Sequence, residues 1–249
     1  MKSVQAIGII GLGDFGQFVA SHIPRDNGLK IYGHDIHAKT IKDIEIVDLP
    51  AIVTCDILII AIPLEAYPKL LVYLHNHIKS ETLLIDICSV KVYPEQYFKT
   101  YLPEYPNLLL THPLFGPQST SNGIAGHTLI VTVQKGELAA KAIHYGENIL
   151  GLKIRHMTSE EHDKHMAYVH ALTFFVARGL SNLQVESEKS LMTPSYQMIK
   201  DLVAFDKTHS EALFQTIQDG NPYAAELRRQ VVNGFTNLES SLSREKSDE

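Results

Sequence analysis

No apolar run in this chain of 249 residues is long enough to cross a bilayer. The longest covers 57–64 and is broken by Pro63, where a spanning helix needs about 20 apolar residues in succession. Basic residues are also short, with 22 Lys and Arg against 28 Asp and Glu and a formal net charge of -6. That balance argues against nucleic acid or an anionic membrane as the partner, because both need a basic face. Cysteine is scarce. Cys55 and Cys88 each stand alone beside an apolar run, which excludes a disulfide framework and a zinc spacing and reads as two reduced, structural thiols in a cytoplasmic protein. Repeats and low-complexity linkers are missing. The N-terminus has no small-residue cleavage site, and glycines at 8, 11, 13 and 16 interrupt what a signal peptide would keep apolar.

What is present is a globular composition, 45% hydrophobic, arranged in two unlike halves. Up to about residue 150, short β-branched runs alternate with longer amphipathic segments. Strands are expected at 6–10, 30–33, 57–62, 82–87, 108–111 and 128–133, several of them apolar on successive residues, as strands covered on both faces are. This pattern predicts a mostly parallel sheet with right-handed crossovers. From Thr158 the β-rich runs stop. Thr158-Ser159-Glu160-Glu161 has the form of a capping box, so a helix should start there and run through His162, Met166, His170 and Ala177 to near Gly179. Further helices are expected around 195–205, 209–219 and 222–242. The reading is an α/β chain: a Rossmann-like, doubly wound, mostly parallel domain over 1–153, then an all-helical domain over 154–249.

The first strand runs into Gly11-Leu12-Gly13-Asp14-Phe15-Gly16, a G-x-G-x-x-G turn that opens a helix. Its first glycine permits the tight turn, the second lets a pyrophosphate approach the backbone, and the third lets helix and strand pack closely. The helix N-terminus offers unpaired N–H groups to the phosphates. Asp35 follows the second strand, 24 residues after Gly11, where a carboxylate bonds the ribose hydroxyls of NAD and repels the 2′-phosphate of NADP. NAD is therefore the expected cofactor, with NADP left open by the neighbouring His37 and Lys39.

In an open α/β sheet the ligand lies beyond the carboxyl ends of the strands. Those ends carry Ile62 and Pro63, expected at the cofactor, then Ser89 and Lys91 after the fifth strand and His112 after the sixth. A histidine there can take a hydroxyl proton as hydride leaves the same carbon. With 13 histidines in the chain, the alternative for His112 is a surface or structural residue.

Together, G-L-G-D-F-G at 11–16, D-I-C-S-V-K at 86–91, T-H-P-L-F-G-P-Q-S at 111–119 and E-E-H-D at 160–163 resemble the prephenate/arogenate dehydrogenase family, the arogenate-type branch most of all. The resemblance implies NAD(P)-dependent oxidative decarboxylation of prephenate or arogenate on the route to tyrosine. It implies His112 as the catalytic base and Ser89 as its neighbour at the reacting hydroxyl. Gln118, Ser119 and His170 are then expected at the substrate, and His162 and Asp163 in a structural or interface role. It also implies a homodimer formed through the helical domain. Two departures stand out. His170 lies in H-A-L-T where the family form is closer to H-L-P-H, and the segment 193–198 lacks the arginine that pairs with a substrate carboxylate. Tyr196, Gln197, Lys200 and Arg228 are the candidates to replace it.

No metal is expected: His162, His165 and Asp163 can be imagined as ligands, but an i,i+3 pair of histidines with nothing further in view to complete a site is no metal spacing. The chain leaves no room for a mutase segment before Met1 or a regulatory domain after Glu249, which predicts a monofunctional enzyme. The rival readings are a two-domain dehydrogenase of the β-hydroxyacid or imine-reductase kind, using Lys164, and a non-catalytic dinucleotide-binding member of the same family.

Overall fold

The computed structural model describes residues 4–25, 28–37, 40–183 and 189–244; Lys39 lies outside them. The chain divides into two compact units, Met1–His162 and Asp163–Glu249.

The first unit is built on β1 (Ala6–Ile10), β2 (Lys30–His34), β3 (Glu45–Ile46), β4 (Ile57–Ile60), β5 (Leu83–Asp86), β6 (Leu108–Pro113), β7 (Thr128–Lys135) and β8 (Lys153–His156). They form one sheet in the order β3-β2-β1-β4-β5-β6-β7-β8. Every pairing is parallel except β6 with β7. The order reverses between β1 and β4, which opens the crevice where doubly wound sheets take their ligands. The central strands are apolar on consecutive residues because both faces are covered. On one face α1 (Asp14–His22) packs over Ile7, Ile9, Ile31 and Ile59. On the other, α2 (Leu49–Ile52), α3 (Tyr67–His77) and α4 (Val92–Tyr101) pack over Leu58, Ile60, Leu84 and Leu110. Between β7 and β8, α5 (Glu137–Asn148) lays Ala139 on Leu83, Leu109 and Val131.

The expected strands are all present, and two more appear. β3 has only two residues and β8 reads Lys-Ile-Arg-His, so neither carries an apolar run. Both are edge strands, where one side needs no burial and charge blunts further pairing. Because β8 pairs with β7, the sheet extends past residue 153, and the chain passes from the first compact unit to the second at 162/163, inside the next helix. β6 also runs further than expected. Its antiparallel pairing with β7 sets His112 against Ile130 and Pro113 against Leu129, so His112 lies in the strand and not in the loop after it. The register shifts between Leu110↔Val133 and Thr111↔Val131, leaving Thr132 as one extra residue on β7.

The helical segment begins with α6 (Ser159–Met166). Its capping box forms as read: Glu161 Oε2 accepts from Thr158 N and Oγ1, both at 2.8 Å, and Glu161 N donates to Thr158 Oγ1 at 3.1 Å. The helix then widens into a π turn (Ala167–Ala171), closed by Leu172 N donating to Ala167 O, before α7 (Leu172–Ser181) resumes regular winding. Sequence periodicity gave no sign of this turn. After it come α8 (Pro194–Lys207), α9 (Glu211–Asp219) and α10 (Ala224–Arg244), close to the expected spans. The second unit's core is Ala171, Phe174, Ile217 and Ala224. Arg178 ties α7 to α8 and α9 through Asp206 at 2.8 Å and Glu211 at 2.9 Å. Among the described residues, no helix is long and apolar enough to cross a membrane.

Candidate active site

The glycine turn sits at the crevice between β1 and β4. Gly11 has φ +96°, and a Cβ there would lie 2.2 Å from Ala61 O; a Cβ on Gly16 would lie 2.0 Å from Gly11 O. The protein's own backbone therefore demands these two glycines. Gly13 differs: its φ is -64°, and a Cβ would meet nothing within 4 Å. Nothing in the protein requires glycine there, whereas a phosphate seated on the turn would. Gly13 is also the N-cap of α1 and supplies no side-chain cap, so the first-turn N–H groups are left for a ligand. These residues fit the phosphates of a dinucleotide. Ile62, just past β4, places its Cγ2 2.9 Å from where a Cβ on Gly11 would lie, and Pro63 caps the short 3-10 turn Leu64–Ala66.

Asp35 is anchored at the same turn. Its Oδ2 accepts from Leu12 N and its Oδ1 from His37 N, both at 2.7 Å. The carboxylate thus stands beside the glycine turn at the end of β2.

Beyond β5 and β6 lies a buried polar frame. Asp86 ends β5 fully buried, and Lys91, also fully buried, forms an ion pair with its Oδ2. Lys91 Nζ donates as well to Thr111 O at 2.6 Å, and Thr111 Oγ1 donates to Asp86 O at 2.8 Å. Tyr67 OH donates to Asp86 Oδ1, which also accepts from Cys88 N at 3.1 Å. Burial, with the Asp86 charge beside it, pushes the Tyr67 hydroxyl well above its usual range. The frame laces the ends of β5 and β6 together, so that Ser89 and His112 project from a fixed base. Ser89 Oγ is buried and has no partner among the described residues. A buried hydroxyl left open is what a hydroxyl-bearing ligand would complete.

His112 is 6% exposed, and its Nδ1 lies 2.8 Å from Nε2 of the fully buried His162. His162, expected to be structural, is therefore the direct partner of His112. Lys91 and Tyr67 were the other residues whose part the sequence did not disclose. The signal available was a lysine five residues after an aspartate at the end of an apolar strand.

The loop after β6 folds onto α1. Phe115 meets Phe18 at 6.3 Å and His127 at 5.3 Å between ring centroids, and Phe15 packs beside Gly116. Ser119 turns back into this loop, its Oγ accepting from Gly116 N at 3.0 Å, while Gln118 is exposed. Ser119 shapes the loop here.

Residues 21–150, just over half of the chain, match the model of the prephenate dehydrogenase nucleotide-binding domain. The chain belongs to the prephenate dehydrogenase family. Within that family it is 28% identical to the chloroplastic arogenate dehydrogenase 2 of Arabidopsis thaliana, over 97% of this chain and 71% of that protein. It is 25% identical to a probable arogenate/prephenate dehydrogenase of Methanocaldococcus jannaschii, over 72% of this chain and 42% of that one. Arogenate dehydrogenase 1 of A. thaliana matches at 28%, and the chain spans 39% of its length. In fold it is similar to A. aeolicus prephenate dehydrogenase solved with hydroxyphenyl propionate and NAD+, at TM-score 0.75 and 20% identity over 98% of this chain and 94% of that one. Synechocystis arogenate dehydrogenase superposes at TM-score 0.63 with 18% identity, over 96% and 93%.

This prephenate dehydrogenase family member departs from the family form where its helix widens. Leu172 stands in the place of the proline of H-L-P-H, and it is Leu172 N that closes the π turn containing His170. The His170 ring meets Phe174 edge-on at 5.1 Å. Of the candidates for the missing arginine, Gln197 Nε2 is engaged by Asp201 at 2.6 Å, Lys200 Nζ lies 3.9 Å from Met192 Sδ, and Arg228 Nη1 is held by Gln218. Tyr196 is half-buried in the first turn of α8. Among the described residues no cluster of three His, Cys, Asp or Glu could hold a metal ion.

Proposed function

We propose that the chain oxidises and decarboxylates prephenate, arogenate or both, with His112 as the base. The observation that carries this is the 2.8 Å bond from His112 Nδ1 to His162 Nε2. With the proton on Nδ1 and donated to His162, His112 Nε2 keeps its lone pair and can take a proton from a ring hydroxyl. A bound oxidised nicotinamide supplies the hydride acceptor. His112 removes the hydroxyl proton as the C–H bond of the same carbon breaks, giving a dienone. The bond to the ring carboxylate then breaks, carbon dioxide departs, and the electron pair makes the ring aromatic. His112 returns its proton to the phenolate, so the protons balance. The open hydroxyl of Ser89 supports a role as a hydrogen-bond partner of the substrate hydroxyl. From the second unit we assign His170 and Tyr196 as substrate contacts.

Asp35 supports NAD as the preferred cofactor, since the 2′-phosphate of NADP would meet its carboxylate. The apolar stripe of Val232, Phe235, Leu238 and Leu242 on α10, each at least half exposed, supports a homodimer. Light scattering of Phe235→Glu should then report a monomer.

The decisive measurement is a steady-state assay with prephenate and arogenate, each with NAD and NADP. Turnover should appear with NAD, and His112→Asn should lower kcat at least about 100-fold while the cofactor still binds. Absence of turnover in all four combinations would refute the proposal and favour a non-catalytic binding protein. Asp35→Ser should shift preference towards NADP; an unchanged preference would remove Asp35 from the selection.

A further inference from the structure

The π turn is held from outside by one short segment. Gln218, 5% exposed at the end of α9, donates through Nε2 to Ala171 O at 2.7 Å. Asn221, 3% exposed, donates through Nδ2 to Asp163 O at 2.8 Å. One acceptor lies a turn before the π segment and the other at its last residue, so the two carboxamides bracket it. Both amides have a settled orientation. Gln218 Oε1 accepts from Arg228 Nη1 at 2.9 Å, and Asn221 Oδ1 accepts from Tyr223 N at 2.9 Å. A carboxamide suits this task because it offers a neutral donor and a neutral acceptor on neighbouring atoms.

A π turn is rare and persists where its surroundings hold it. One added residue rotates the following helix by about 100° relative to regular winding, so this turn decides where His170 points. We propose that Gln218 and Asn221 are positioning residues for His170: by fixing the carbonyls on either side of the π turn, they set the direction from which its ring meets the substrate. This inference rests on the reading of His170 as a substrate contact.

The test is a double-mutant cycle in the full chain between Gln218→Met and His170→Gln. Gln218→Met keeps the side-chain volume and removes both hydrogen bonds. It should raise KM for the ring substrate about tenfold, the equivalent of one lost buried hydrogen bond, with a smaller change in kcat and none in the Kd for NAD. In the His170→Gln background it should add nothing further. Full additivity, or an unchanged KM where His170→Gln alone raises it, would overturn the inference. Wild-type kinetics for His170→Gln alone would bring down the reading of His170 itself, and the inference with it. Should Gln218→Met not fold, Arg228→Met loosens the same amide from a half-exposed position and should give the same pattern in smaller measure. In NMR, the His170 ring resonances should shift in either variant; unchanged resonances would also count against the proposal.

Discussion

His112 and His162, 50 positions apart in the chain, meet through a single 2.8 Å hydrogen bond with their ring planes at 73°. The proton between them can sit on one nitrogen at a time, and the proposed role of His112 as base requires it on His112 Nδ1. His162→Leu removes the acceptor and should lower kcat by about 10- to 100-fold without changing the Kd for NAD. His162→Gln can still accept through Oε1 and should recover part of the loss. Equal activity of the leucine and glutamine variants would show that the acceptor does not matter.

Lys91 and Asp86 are both fully buried. Lys91→Met leaves an unpaired carboxylate in the interior and should cost about 3–5 kcal/mol in urea unfolding. Adding Asp86→Leu removes the stranded charge and should return much of that stability, though not activity, because the Lys91 links to Asp86 and Thr111 O are gone. A double variant no more stable than Lys91→Met would show that the charge is not the cause.

Gly13 and Gly16 allow the proposed cofactor binding to be tested apart from folding. Gly13→Ala has an ordinary φ and open space, so its melting temperature should hold or rise slightly, while calorimetry shows NAD affinity falling at least about tenfold. Gly16→Ala drives a methyl into Gly11 O and should lower the melting temperature itself. Unchanged NAD affinity in Gly13→Ala would place the phosphates elsewhere.

Burial, with the Asp56 charge beside it, pushes the Cys55 thiol up to about 11. At pH 8 only about one molecule in a thousand carries the thiolate, and the sulfur is covered. Iodoacetamide at pH 8 should modify Cys55 only after unfolding, as read by mass spectrometry. Rapid labelling of native protein would show that this region opens.

The sequence made the β1–α1–β2 unit legible almost residue by residue, because tight turns, close packing and phosphate approach all select glycine at fixed spacing. Edge strands β3 and β8 were hidden, since a strand buried on one side carries little apolar signal. Lys91 was visible as a residue but its burial was not, because lysine is ordinarily solvated and only the fold reveals the carboxylate awaiting it. The partnership of His112 with His162 is a contact across the first unit, and spacing along the chain cannot report it. The π turn escaped because Ala-Tyr-Val-His-Ala is as compatible with regular helix as with a widened one; the carboxamides that bond the carbonyls of Ala171 and Asp163 lie far along the chain, at Gln218 and Asn221.

Thr132, the extra residue of β7, sits where the pairing passes from Leu110↔Val133 to Thr111↔Val131. Residues paired across a ladder share a face, so the bulge keeps Val133 on the face of Leu110 and Val131 on that of Thr111, although the two lie two positions apart on one strand. Deleting Thr132 would leave Ile130 opposite His112 and on the same face. What the deletion would remove is the local bend and added twist that a bulge gives its strand, one residue before the His112–Ile130 pair. The extra residue therefore bears on how the end of β6 is aimed, and not on which side its neighbours face.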